Sequence, residues 1–107
     1  MKFKTLIKIY DQLNEKNFGG VLSRPVIRFN RTKNIDGFWC GGKMGFNLSD
    51  TKGFFKVTEL VYHEMVHQYI DEFLKLELQD DHGKEFKKCY RKFHTHDFLF
   101  DKGLNHV

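Results

Sequence analysis

Cysteine, proline and long apolar runs are all scarce in this chain. It holds 2 cysteines and 1 proline in 107 residues. Cys40 and Cys89 are too few for a disulfide scaffold or a four-cysteine zinc ribbon. Both are expected as reduced and mostly buried thiols, the usual state of free cysteine. No run of 18 or more apolar residues occurs, so no membrane helix is expected. The opening stretch, Met1 to Leu13, is basic, but Lys8 interrupts its apolar positions and no small-residue cleavage site follows. It reads as an amphipathic helix rather than a signal peptide, and a cytoplasmic location is the expectation. Charge of one sign is scarce too. A net +4 from 18 basic and 14 acidic residues permits an anionic partner without demanding one. Aromatic residues are plentiful instead, with 12 Phe among them, which excludes intrinsic disorder. The length fits one domain, 1–107, able to bury one core without staples and expected as a monomer.

Apolar periodicity divides the chain. Phe3, Leu6, Ile7, Tyr10 and Leu13 follow helical spacing, and Gly19-Gly20 can end that helix, so a helix is predicted over residues 3–17. Pro25 opens a short strand, Val26-Ile27-Arg28-Phe29, followed by a polar loop over 30–36. Gly37-Phe38-Trp39-Cys40 and Lys43-Met44-Gly45-Phe46-Asn47-Leu48 flank Gly41-Gly42 and predict a hairpin with a primed turn. In its second arm Met44, Phe46 and Leu48 share one face. After a loop at 49–53, a helix is predicted over residues 56–75. Its Val57, Leu60, Val61, Met65, Val66, Ile70, Phe73 and Leu74 spread almost all round, the mark of a buried central helix. A last helix is predicted over 84–94, with Phe86, Cys89, Tyr90 and Phe93 inward. Helix, strand, hairpin, helix, helix gives an α+β class.

Inside the central helix stands His63-Glu64-Met65-Val66-His67, the spacing H-E-x-x-H. Residues four apart lie one turn above each other on a helix face, so the two imidazoles can share one zinc ion. Glu64, one step round, can take a proton from water at the metal without occupying a ligand position. A shuffled chain of this composition would show the string about 2% of the time, so composition alone rarely produces the motif. Two histidines and a glutamate in a core helix also need partners, because an unpaired buried polar group costs about 1–3 kcal/mol. A catalytic zinc needs a third protein ligand and an open position. A metzincin would place Gly at position 70 and His at 73, where this chain has Ile70 and Phe73. His82, His94, His96, Asp80 and Asp81 remain. His82 leads, since a returning helix can bring its first turn against the motif. His94 and His96 read as surface residues at a helix end.

These motifs resemble the SprT-like domain family. Leu60-Val61-Tyr62-His63-Glu64-Met65-Val66-His67 is similar to its core motif, and Asp81-His82-Gly83-Lys84-Glu85-Phe86 to its H-G-x-x-F element. Met44-Gly45-Phe46-Asn47-Leu48-Ser49 looks like the strand before the active-site helix. Leu13-Asn14, Phe18-Gly19-Gly20-Val21-Leu22 and Pro25-Val26-Ile27 look like its opening helix, turn and first strand. The resemblance implies a zincin-like fold whose sheet edge lines the cleft. It also implies one Zn2+ per chain on His63, His67 and His82, with Glu64 as general base. The implied activity is peptide-bond hydrolysis, in a version without the four-cysteine ribbon, and the implied partner is a protein or peptide substrate. The family's role in DNA–protein crosslink repair makes DNA-associated proteins a candidate substrate class. Zinc acidifies water toward a pKa of about 7, and Glu64 would take the proton and pass it to the leaving amine.

Several residues stay open. Asp71, Asp80, Asp81 and Asp97 are candidate carboxylate partners for the ligand imidazoles. Tyr62, Tyr90 and Arg91 read as packing or surface residues rather than oxyanion donors. The arm 44–48 is a candidate edge for an extended substrate. Lys84, Lys87, Lys88, Arg91 and Lys92 share one face of the last helix, a candidate contact for DNA and otherwise a solvated face. Phe38 and Trp39 read as core residues ahead of base-stacking ones. A non-catalytic, zinc-stabilised nucleic-acid-binding module using that basic face is the alternative function. A plain structural domain is the third.

Overall fold

Leu6, Ile9, Tyr10 and Leu13 recur every three or four residues, and they are the apolar residues that the first helix, α1 (Phe3–Asn17), buries. The computed structural model describes residues 2–29, 36–48, 54–76 and 82–94. The buried stripe is rotated slightly from the expected one. Ile9 is inside, while Phe3 is exposed and meets the Phe29 ring edge-on at 5.7 Å. Gly19 and Gly20 take the left-handed conformation, with φ of 64° and 75°, and turn the chain back on itself. Asn14 holds that return. Its amide nitrogen donates to the Leu22 carbonyl at 2.7 Å, and its oxygen accepts from the Leu22 N–H at 3.1 Å.

Three strands follow: β1 (Val26–Phe29), β2 (Gly37–Cys40) and β3 (Lys43–Phe46). Their order in the sheet is β1-β3-β2, with β1 parallel to β3 and β2 antiparallel to it. Gly41 and Gly42, with φ of 49° and 85°, form the primed turn of the β2–β3 hairpin. The central position of β3 corrects an expectation. The arm 44–48 is not a free edge, because β1 occupies one side and β2 the other, and its strand ends at Phe46. Alternation is also lost: Met44, Gly45 and Phe46 are all buried. Gly45 is covered by Phe38, whose ring a Cβ at that position would overlap. Of the two edge strands, β1 meets α1 and β2 meets α2.

The long helix α2 (Phe54–Tyr69) packs on α1, β2, β3 and the last helix, α3 (Lys84–Phe93). Val57, Val61, Met65, Val66 and Ile70 are buried, each such side chain contributing about 1.5–3 kcal/mol of burial. The predicted single helix over 56–75 is not continuous. At Ile70 it widens into a π-turn, Ile70–Leu74, closed by Lys75 at φ 52° with its N–H on the Ile70 carbonyl at 2.8 Å. A π-turn inserts one residue into the helical repeat and rotates the side chains beyond it. Phe73 and Leu74 therefore point outward, 49% and 39% exposed, instead of joining the core.

The last helix buries Phe86 and Cys89 and half-buries Tyr90 and Phe93. Asn17 at the end of α1 donates to the Phe93 carbonyl at 2.7 Å. Phe18 nests among Tyr62, Tyr69 and Phe93. Cys89 matches the buried thiol expected, but Cys40, at the turn end of β2, is exposed. Three helices and a small mixed sheet around one apolar core make the fold α+β. No described helix is long and apolar enough to cross a membrane. The expectations for the loops at 30–35 and 49–53, and for Asp80, Asp81, His96 and Asp97, lie outside the described residues.

Candidate metal centre

One turn of α2 separates His63 from His67, and their rings stand 5.0 Å apart on the face turned toward α3. His82 arrives from the other side, immediately before Gly83, the residue that caps α3. Its Nε2 lies 3.1 Å from the Nε2 of His63 and 3.1 Å from that of His67. Among the described residues this is the one group of three or more potential ligand side chains that converges on a point. Tetrahedral zinc with bonds of about 2.0–2.1 Å holds neighbouring nitrogens about 3.3 Å apart. The spacing of the triad is within a few tenths of an ångström of that figure, so these side chains fit a metal ion. Three neutral imidazoles are also the donor type that zinc and other borderline cations take.

Phe86 fixes the arrangement from below. Its ring centroid is 4.8 Å from His63, 4.5 Å from His67 and 5.2 Å from His82. It follows His82 by four residues, so the turn that presents His82 also drives Phe86 under all three imidazoles. Burial favours the neutral form of His63. It lowers the pKa of His63 to about 4, helped by the neighbouring His67 and His82 and opposed by Glu59.

Glu64 is 5% exposed, and its carboxylate takes no hydrogen bond from the described residues. Burial alone raises its pKa to about 7, and a divalent cation beside it would pull that value back down. What lies on this carboxylate is backbone. A Cβ built on Gly37 of β2 would stand 3.1 Å from Glu64 Oε2. The motif therefore has two flanks. On the β2 side an open cavity of about 420 Å³ runs from Gly37 and Trp39 to His67 and Asp71. On the α3 side a second, of about 440 Å³, starts at His63 and runs between Phe86 and Arg91.

The remaining candidates divide clearly. Asp71 is engaged by Trp39, whose indole Nε1 donates to Asp71 Oδ2 at 3.0 Å. Tyr62 is fully buried and donates to the Tyr90 carbonyl at 2.6 Å, so it packs as expected. The Tyr90 hydroxyl donates to Glu59, away from the triad. His94 corrects the surface reading. It is half-buried, stacks on Tyr90, and places Nε2 3.3 Å from Glu59 Oε1. It does not join the triad. Lys84, Lys87, Lys88, Arg91 and Lys92 are all exposed along α3.

Two residues of weight escaped the sequence reading. Gln68, next to His67, is fully buried. It accepts from the Tyr10 hydroxyl at 2.7 Å and donates to the Ser23 carbonyl at 2.8 Å and to Glu72 at 3.0 Å. It ties the motif helix to α1 and to the chain entering β1. Its signal was a lone amide in an apolar stretch of helix, which demands partners. Gly37 had no signal, because its closeness to Glu64 is a long-range contact. A scan against protein-family models, a search of curated proteins and a search of solved structures each return no match for this chain.

Proposed function

We propose that this protein is a zinc-dependent metallopeptidase, zincin-like in fold and similar to the SprT-like domain. The observation that carries the reading is the convergence of His63, His67 and His82 on one point, with Glu64 buried and next to His63 in the same helix. Zinc on these imidazoles would supply an acidified water and an electrophile for a peptide carbonyl. The chain's own residues do the rest. The three imidazoles hold the ion, and Phe86 holds the imidazoles. Glu64 offers its carboxylate as a proton acceptor and, once protonated, as a donor to the departing amine. Gly37 keeps backbone over that carboxylate and excludes water from one side of it. The sheet edge beside the site is β2.

The test is zinc analysis paired with a cleavage assay of protein substrates, with single-stranded DNA present and absent. One zinc per chain is expected, and Glu64→Gln should retain it while cleavage falls by about a hundredfold or more. Protein purified without stoichiometric zinc sinks the reading. A second reading, a zinc-stabilised nucleic-acid-binding module, is favoured by one observation, the five exposed cations along α3. It requires binding that weakens steeply with salt and that Glu64→Gln leaves unchanged.

A further inference from the structure

The cavity on the α3 side has a chemistry of its own. Its inner wall is His63, and its floor is the rings of Phe86 and Tyr90. The Tyr90 hydroxyl is turned away to Glu59, so the floor presents carbon rather than a polar group. Lys87 and Arg91 form the rim, one helical turn apart. The Arg91 Nε donates to the Lys87 carbonyl at 3.3 Å. That leaves its terminal guanidinium nitrogens for another partner. Both rim residues are exposed, and among the described residues neither pairs with a carboxylate.

An apolar floor under two unpartnered cations fits a side chain with a carbon stem and an anionic end. We infer that this groove is a specificity pocket for a glutamate or aspartate side chain of a peptide, seated beside the metal centre with its carboxylate between Lys87 and Arg91. A peptide is favoured over a nucleic acid by position. The pocket begins on His63 itself, so its occupant lies within a residue or two of any carbonyl presented to the triad. A phosphate backbone bound there would cover the site instead of feeding it. This inference rests on the metallopeptidase reading for the purpose of the pocket, while its ligand chemistry stands on the lining residues alone.

The experiment uses the zinc-loaded protein and a degenerate peptide library whose cleavage sites are read by mass spectrometry. Glu and Asp should be enriched at one position flanking the cut, about five- to tenfold over Lys, the range of a partly screened ion pair. The double variant Lys87→Glu with Arg91→Glu should invert that preference. Lys4→Glu with Lys8→Glu, the same change of charge on α1, should leave it alone. Melting curves and zinc content confirm that each variant is folded. Cleavage without a charge preference, or a preference that survives the double reversal, overturns the inference. If the library is not cleaved at all, the metallopeptidase reading fails, and the pocket is judged by binding. Fluorescence anisotropy then compares a labelled Glu-containing peptide with its Lys counterpart on zinc-loaded Glu64→Gln protein. Tighter binding of the Glu peptide that the double reversal abolishes supports the pocket. Equal binding of the two peptides, or displacement of the Glu peptide by a thymidine oligonucleotide whose own binding needs Lys87 and Arg91, overturns it in favour of nucleic acid.

Discussion

On the β2 side of the histidine triad one piece of backbone, at Gly37, lies against Glu64, and on the α3 side the lining is rings and cations. Gly37 lies against Glu64 because it has no side chain, and Trp39 reaches past the site to Asp71. Across the triad, Phe86 touches all three imidazoles, while Lys87 and Arg91 rim the groove beyond. The two flanks thus differ in what they set against the motif: a residue without a side chain on one, and aromatic rings with two cations on the other.

Four measurements test this contrast. The largest effect belongs to the metal that both flanks are taken to face. At free zinc a thousandfold above Kd, binding to the folded chain adds about 4 kcal/mol. Chelation should then lower the melting temperature by roughly 15–30 °C, and an unchanged value would leave the two flanks with nothing between them. Next comes Phe86→Ala, which removes a buried ring and should destabilise by about 3–5 kcal/mol in urea titrations, with zinc affinity falling alongside. If zinc affinity holds, the α3 flank does not organise the ligands. Gly37→Ala is smaller and different in kind. Its Cβ would crowd Glu64 Oε2 at 3.1 Å and the Gly45 carbonyl at 3.3 Å. The expected result is a fall in kcat/KM of about tenfold or more with zinc content intact. Loss of zinc instead would mean that the strand flank also positions the ligands. Smallest is Trp39→Phe, which deletes the indole–Asp71 hydrogen bond for about 1 kcal/mol, measured by the shift in urea midpoint.

Much of this arrangement is legible along the chain, where it depends on neighbours in sequence. The i, i+4 spacing of His63 and His67, the positive φ of Gly41-Gly42 and the two-faced pattern of residues 84–93 are local, and each is found where the pattern places it. His82 was reachable because a polar connection before an amphipathic helix can return only so far. The sheet order was not legible. Alternation in Met44-Gly45-Phe46 reports a pleat and says nothing of which strand lies on either side. The parallel pairing of Val26 with Lys43 spans the whole intervening hairpin approach, and it turned an expected edge into the centre of the sheet. The π-turn at Ile70–Leu74 was equally hidden, because an α-helix and a π-turn draw on the same residues until packing decides. His94 departs from the expected exposure for a related reason. Position near a helix end suggests exposure, but a carboxylate on α2, Glu59, captures the ring.

The separation in sequence of the histidines has a topological consequence. His67 and His82 are 15 residues apart, and a metal ion shared between them closes that stretch of chain into a ring. For a covalent cross-link, closing a loop of this length removes about 3 kcal/mol of entropy from the unfolded chain. An ion at this point would therefore be a removable clasp between the second and third helices.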